Sequence, residues 1–270
     1  MPTVEVPGAR LSYDVAGDPA SRVIVFVHAG VATRAMWDPQ FDDLARDHYV
    51  IRYDTRGFGE SPGDDIAFAD RRDLIAVLDA AGATSACFIG GSRGGRIALD
   101  TALDAPHRVT GLVMIGSTPG GQSQDGATEL ELEMLAAMKA ASESGDVDTL
   151  VRTEVAYWDL GPSRDIDDVD PEFLQRAIEL NVGAAHWDFD GLDQQLDPPA
   201  VDRLHEIMVP ALVVVGEHDV TESKLGYELL MAGLPHAEGL RFADSAHLPS
   251  VERAEQFTSD LRAWLAAHAL

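Results

Sequence analysis

Short apolar runs alternate along the chain with segments whose apolar residues recur at helical spacing. Continuous apolar runs at 23–27, 109–115 and 211–215 predict strands that are buried on both faces, as in a parallel sheet. Further strands are predicted at 10–15, 49–53, 86–89 and 240–242, and helices at 37–46, 67–80, 93–103, 222–232 and 251–267. This alternation predicts an α/β protein with a mostly parallel sheet that is covered by helices on both faces.

Residues 121–205 depart from the alternation, because they are rich in helix formers and acidic residues and contain no convincing strand. We interpret this segment as a helical lid inserted between two strands of one sheet. The predicted organisation is therefore a first part of the α/β core at 1–120, the lid at 121–205, and a second part of the core at 206–270.

Composition excludes several classes of protein. No apolar run is long enough to span a membrane, and the N-terminus shows no secretory pattern, so we expect a cytoplasmic protein. The single cysteine, Cys87, lies within a predicted strand, which suits a small buried side chain in a reducing compartment. A net charge of −26 would repel nucleic acid and anionic membranes. The acidic surface either keeps the protein soluble or is an adaptation to high salt. The sequence leaves open whether the protein forms a homo-oligomer.

The segment CFIGGSRGGRIAL at 87–99 predicts a strand, a tight turn and a helix, with Ser92 at the centre of a G-x-S-x-G pattern. A serine in that turn presents its hydroxyl above the end of a sheet. The N-terminus of the following helix directs free N–H groups at the same place, where they would stabilise an oxyanion. Ser92 is therefore the candidate nucleophile.

A serine hydroxyl needs a base, and the base needs an acid that orients it. His247 follows a predicted strand and is the candidate base, whereas the remaining histidines show no comparable setting. Asp219 follows the strand at 211–215 and is the candidate acid, with Glu217 as its competitor. The order Ser, Asp, His along the chain agrees with this hydrolase motif. No histidine pair has metal-ligand spacing, so we expect no metal and no cofactor.

An oxyanion hole requires two N–H donors. We predict the backbone N–H of Arg93 and that of Gly30, which follows the strand at 23–27. His28 is expected to hold this loop through hydrogen bonds and to take no part in proton transfer.

Together these residues resemble the α/β-hydrolase superfamily. The resemblance rests on VFVHAG at 25–30, RYDTRGFGES at 52–61, GGSRGG at 90–95, VVVGEHD at 213–219 and AHLPSVERAEQF at 246–257. It implies Ser92, Asp219 and His247 as the triad, and a structural turn in which Asp54 and Arg56 brace loops. The GGSRGG turn around Ser92 and the spacing between His28 and Trp37 look most like the enol-lactonase and non-haem perhydrolase branch. The chain departs from the family at Ala29, where glycine is usual, and at Arg93, where that branch often has an apolar residue.

Four side chains are candidates for substrate binding. Arg93 could anchor an anionic group of the substrate or could form a structural salt bridge. Trp158, His186 and Trp187 lie in the lid and could line an apolar pocket or pack against the core. The predicted function is hydrolysis of a small-molecule carboxylic ester or lactone through an acyl-enzyme. Carbon–carbon bond hydrolysis or perhydrolysis on the same triad, and a ligand-binding or non-hydrolytic role, remain alternatives.

Overall fold

The computed structural model describes residues 2–123, 125–184 and 192–270. Within them, eight strands form one sheet in the order β1-β2-β4-β3-β5-β6-β7-β8, in which the β1–β2 and β2–β4 pairs are antiparallel and the other pairs are parallel. The strands are β1 Thr3–Val6, β2 Ala9–Ala16, β3 Val23–Val27, β4 Tyr49–Tyr53, β5 Ala86–Gly91, β6 Val109–Ile115, β7 Ala211–Gly216 and β8 Ala237–Phe242. The predicted mostly parallel sheet is confirmed.

Helices cover both faces of this sheet. Those described are α1 Asp38–Leu44, α2 Asp70–Ala80, α3 Arg93–Asp104, α4 Glu129–Ser144, α5 Val147–Glu154, α6 Pro171–Gly183, α7 Thr221–Gly233, α8 Pro249–Glu252 and α9 Ala254–Ala267. Leu74 of α2 and Leu99 of α3 belong to the core on one face, and Phe41 of α1 and Phe257 of α9 belong to the core on the other. No described helix has the length and apolar character needed to cross a membrane.

The predicted elements match the observed ones most closely where the apolar runs are continuous. Strands β3, β4 and β6 have the predicted bounds. Strand β1 was not predicted, because its residues alternate between exposed and half-buried positions and form no apolar run. The predicted closing helix is interrupted at Arg253, whose φ of −126° and ψ of 46° lie outside the helical region.

The described part of the segment between β6 and β7 is helical and contains no strand. A π-helical turn, Val155–Leu160, and a 3₁₀ turn, Ile166–Asp168, lie there between α5 and α6. Helix α4 is tied to the core by the carboxylate of Glu131, which accepts from the backbone N–H of Thr128 at 2.6 Å and from that of Thr221 at 2.6 Å. One side chain thus caps its own helix and the first turn of α7.

Candidate active site

Ser92 occupies a strained turn between β5 and α3. Its φ of 51° and ψ of −117° are unusual for a residue with a side chain. Its N–H donates to the carbonyl of Ile115 at 2.7 Å, which joins the turn to the end of β6. A Cβ on Gly90 would overlap the backbone of Gly94, and one on Gly94 would overlap the carbonyl of Val27. The local sequence therefore permits this turn because it places glycine where chains touch.

His247 and Asp219 form a buried pair beside that turn. The Nδ1 atom of His247 lies 2.9 Å and 3.1 Å from the two carboxylate oxygens of Asp219, and both residues are 1% exposed. One of those oxygens also accepts from the N–H of Val220 at 2.8 Å. The carboxylate thus holds the proton on Nδ1 and leaves Nε2 as the basic nitrogen.

The end of β6 brings these groups to one place. A Cβ on Gly116 would lie 2.9 Å from Nδ1 of His247 and 3.1 Å from a carboxylate oxygen of Asp219. The N–H of Ser92 is bonded to Ile115, the residue before that glycine. The turn that contains Ser92 and the His247–Asp219 pair therefore flank the same strand end, at the carboxyl edge of the parallel sheet, where α/β proteins bind ligands.

Surrounding charges set the ionisation of His247. Burial alone would lower the pKa of its imidazole, but the charge and hydrogen bond of Asp219, with further contributions from Asp159 and Glu222, raise the pKa above its ordinary value. Glu217, the competing acid, is 43% exposed and pairs instead with Arg241 at 3.1 Å. Within the described residues, Asp219 is the carboxylate that meets the imidazole.

The loop after β3 is held by His28. The Nε2 atom of His28 accepts the N–H of Thr55 at 2.9 Å, and Nδ1 lies 2.7 Å from the carbonyl of Ala29. Burial is the main reason that the pKa of His28 falls to about 4, so the ring is neutral and suited to bracing the loop. The N–H groups of Gly30 and Arg93 form no hydrogen bond within the described residues. Their role as oxyanion donors stays a prediction.

The side chain of Arg93 turns to neighbouring residues. Its guanidinium donates to Asp70 at 2.7 Å and to the hydroxyl of Thr55 at 2.7 Å, and it lies over the ring of Phe58. Burial raises the pKa of Asp70 to about 6, although the charge of Arg93 acts in the opposite direction. Asp70 has no feature in the sequence that distinguishes it from other acidic residues, and the structure alone reveals this contact.

Trp158 contacts the catalytic candidate directly. Its indole lies against the imidazole of His247 with ring centroids 4.6 Å apart, and its carbonyl oxygen accepts the N–H of His247 at 3.3 Å. The sequence left Trp158 either lining an apolar pocket or packing against the core, and its contact with His247 is packing against the core. His186 and Trp187, the other lid candidates, lie outside the described residues. The predicted bracing turn is present, since Asp54 pairs with Arg34, and Arg56 pairs with Asp73 at 2.9 Å.

Comparisons with known proteins identify the family of the chain. Residues 22–254 match the family described as alpha/beta hydrolase fold. A putative carbamate hydrolase of Variovorax paradoxus is 30% identical over 95% of this chain and 96% of that protein. A 3-oxoadipate enol-lactonase of Acinetobacter baylyi is 24% identical over 93% of this chain and 91% of that protein.

Solved structures give the same picture. Est816, described as an N-acyl homoserine lactone degrading enzyme, superposes with a TM-score of 0.74 at 28% identity and covers 97% of this chain and 99% of its own. The enol-lactonase of Burkholderia xenovorans superposes with a TM-score of 0.76 at 22% identity, covering 98% of this chain and 100% of its own, and supports the fold.

Proposed function

The chain belongs to the α/β hydrolase family, and from that premise we propose that it hydrolyses a carboxylic ester or a lactone with Ser92, His247 and Asp219 as its catalytic triad. The observation that carries the proposal is the buried contact between His247 and Asp219 beside the strand end that also holds the Ser92 turn. Esterases and lactonases among the relatives support the same class of substrate.

In the proposed mechanism, the hydroxyl oxygen of Ser92 attacks the carbonyl carbon while Nε2 of His247 takes the hydroxyl proton. Asp219 holds the proton on Nδ1 and stabilises the imidazolium that forms. The N–H groups of Gly30 and Arg93 bind the oxyanion of the tetrahedral intermediate. The intermediate collapses as His247 returns the proton to the leaving alkoxide, which leaves an acyl-enzyme.

Deacylation repeats the same steps with water. His247 takes a proton from water, the resulting hydroxide attacks the acyl carbon, and the bond to Ser92 breaks as His247 protonates the serine oxygen. For a lactone the leaving alkoxide stays attached to the acyl group, so a single hydroxy acid is released. We propose that residues 121–205 act as a lid over the acyl group, with Trp158 at its inner edge.

Carbamate hydrolysis is a second candidate, favoured by the 30% identity to the putative carbamate hydrolase. The chemistry is similar, because a carbamate carbonyl also accepts a serine nucleophile and passes through an oxyanion. Discrimination among ester, lactone and carbamate would depend on the residues that contact the leaving group of the substrate.

A substrate panel tests the proposal. Purified protein is assayed with p-nitrophenyl acetate and butyrate, γ- and δ-lactones and a phenyl carbamate, each in parallel with the Ser92→Ala variant. We expect turnover of at least one ester or lactone by the wild type and its loss in the variant. Turnover that survives in Ser92→Ala would contradict the triad, and binding without turnover of any substrate would favour a ligand-binding role.

A further inference from the structure

Asp159 is a buried carboxylate. It lies in the π-helical turn Val155–Leu160 and is 1% exposed, and among the described residues neither of its carboxylate oxygens has a hydrogen-bond partner. Burying an unpaired carboxylate opposes folding, and buried polar groups in proteins are nearly always hydrogen-bonded. Packing of the fold therefore does not explain why a carboxylate occupies this buried position.

Arg164, which contacts the backbone of Asp159, does not supply that partner. Arg164 donates to the backbone carbonyl of Asp159 at 3.3 Å, whereas its guanidinium forms ion-pair contacts with Glu252 at 2.7 Å and 3.2 Å. Glu252 is itself fixed, because it accepts from the hydroxyl of Ser245 at 2.8 Å. The positive charge of Arg164 is therefore committed to a different carboxylate.

The position of Asp159 connects it to His247. The preceding residue, Trp158, packs its ring against the imidazole and accepts the His247 N–H with its carbonyl. The π-helical turn is thus attached to the histidine loop, residues 243–248 between β8 and α8, by two contacts that both involve the residue adjacent to Asp159. The side chain of Asp159 is itself buried, in the segment that makes both contacts.

The charges around Asp159 point to His247 as well. Burial raises the pKa of Asp159 to about 7, the charge of His247 acts to lower it, and Glu154, Glu252 and Asp219 raise it further. Within the described surroundings, His247 is therefore the group that favours the ionised carboxylate. The effect is mutual: the groups that favour the charged imidazole are Asp219, Asp159 and Glu222.

We propose that Asp159 is a positioning residue that stabilises the imidazolium of His247, as a second carboxylate besides Asp219, while the proton from Ser92 resides on the ring. The inference rests on the proposed function, in which His247 is the base. Formation of an imidazolium in a buried site separates charge where the dielectric is low, so a nearby negative charge strengthens the base. A carboxylate that belongs to the lid segment thereby contributes to chemistry in the core.

The first experiment measures His247 without catalysis. The imidazole signals are titrated by NMR in a Ser92→Ala background, with and without Asp159→Asn. We expect the pKa of His247 to fall by about one unit when Asp159 is neutralised. Asp244→Asn is the matched control, because Asp244 is an exposed acid in the histidine loop. Its removal should change the pKa by less than about 0.2 unit, since water and salt screen it.

The second experiment measures the pH profile of kcat/KM on the best substrate of the panel. In Asp159→Asn, the acid limb of the pH profile should move to lower pH by the same amount as the pKa of His247 moves in the NMR titration. The value of kcat at pH 9 should fall about three- to tenfold, because a His247 with a lower pKa is a weaker base. Asp159→Ser provides a second neutral variant of smaller size and should give the same shift. A purely structural role would lower the folded fraction without moving the acid limb.

The two proposals fail in different ways. An unchanged His247 pKa in both Asp159 variants would overturn the role of Asp159, whatever the activity shows. Retained activity in Ser92→Ala would overturn the triad, while the NMR titration would still report whether Asp159 acts on His247.

Discussion

The guanidinium of Arg93 donates to the carboxylate of Asp70 at 2.7 Å, although the two residues begin different helices and Arg93 directly follows the candidate nucleophile. A cation in the first turn of a helix opposes the helix dipole, and Asp70 offsets that cost. The contact also links α2 to α3 next to the predicted oxyanion donors. Arg93 therefore has a partner in the protein, and we expect its role to be this salt bridge and not the anchoring of an anionic substrate.

Ser92→Ala should remove nearly all hydrolytic activity, with kcat/KM falling at least ~10³-fold. The substitution deletes the nucleophilic oxygen and retains the backbone of the turn, so the circular dichroism spectrum should not change. A fluorophosphonate probe should label the wild type once, at Ser92, as measured by peptide mass spectrometry. Labelling at another serine would contradict the assignment.

Asp219→Asn should reduce kcat/KM by on the order of 10³- to 10⁴-fold, because the amide cannot hold the imidazole in the required tautomer. Glu217→Gln is the matched control. It removes a carboxylate from the same strand end, but that carboxylate is exposed and bound to Arg241, so activity should change less than about threefold. If Glu217→Gln lost more kcat/KM than Asp219→Asn, Asp219 would not be the catalytic acid.

Arg93→Met should lower thermal stability, because it leaves Asp70 buried without its ion pair. Removal of one partner of a buried pair costs about 3–5 kcal/mol when the remaining group stays charged. Asp70, whose pKa is about 6, takes up a proton instead, so we expect a loss of about 1–2 kcal/mol at pH 7. Thermal unfolding measures the loss, and the Arg93→Met/Asp70→Asn double variant should recover part of it.

The single variant Arg93→Met also tests whether Arg93 anchors an anionic substrate. Its activity is compared on an ester that carries a carboxylate and on a neutral ester of equal size. We expect kcat/KM to fall by the same factor on both esters. A selective loss of about ten- to hundredfold on the carboxylate substrate would instead identify Arg93 as the anchor.

Asp159→Asn should stabilise the protein at pH 8 and have little effect at pH 4. The pKa of Asp159 is about 7 in the folded protein and near 3.8 in the unfolded chain. The folded state therefore binds more protons between these values, so the wild type loses stability as pH rises through that window. The loss is complete above pH 7 and is on the order of 4 kcal/mol. Tm measured at both pH values checks the prediction, and an equal gain at both would contradict it.

Much of the candidate site follows from local sequence. The glycines around Ser92 fix the turn because chain contacts there exclude side chains. Asp219 follows β7 and His247 follows β8, so strand order alone places both at the carboxyl edge of a parallel sheet. The observed His247–Asp219 contact agrees with that expectation.

The remaining features depend on tertiary packing. Arg93 has many acidic residues available to it, and only the way α2 packs beside α3 selects Asp70. Asp159 is one acidic residue in an acidic lid, and nothing in its neighbourhood in the sequence predicts that it is buried. The contact of Trp158 with His247 joins segments 89 residues apart, which no local pattern encodes.

The packing of Trp158 against His247 has a consequence for recombination of this family. A lid is often regarded as an exchangeable module, but here the ring that covers the histidine belongs to the inserted segment. A chimaera that replaced all of residues 121–205 would remove that ring together with the Glu131 cap on α7. Grafts that keep Glu131 and residues 155–160 would retain both of these contacts between the inserted segment and the rest of the chain.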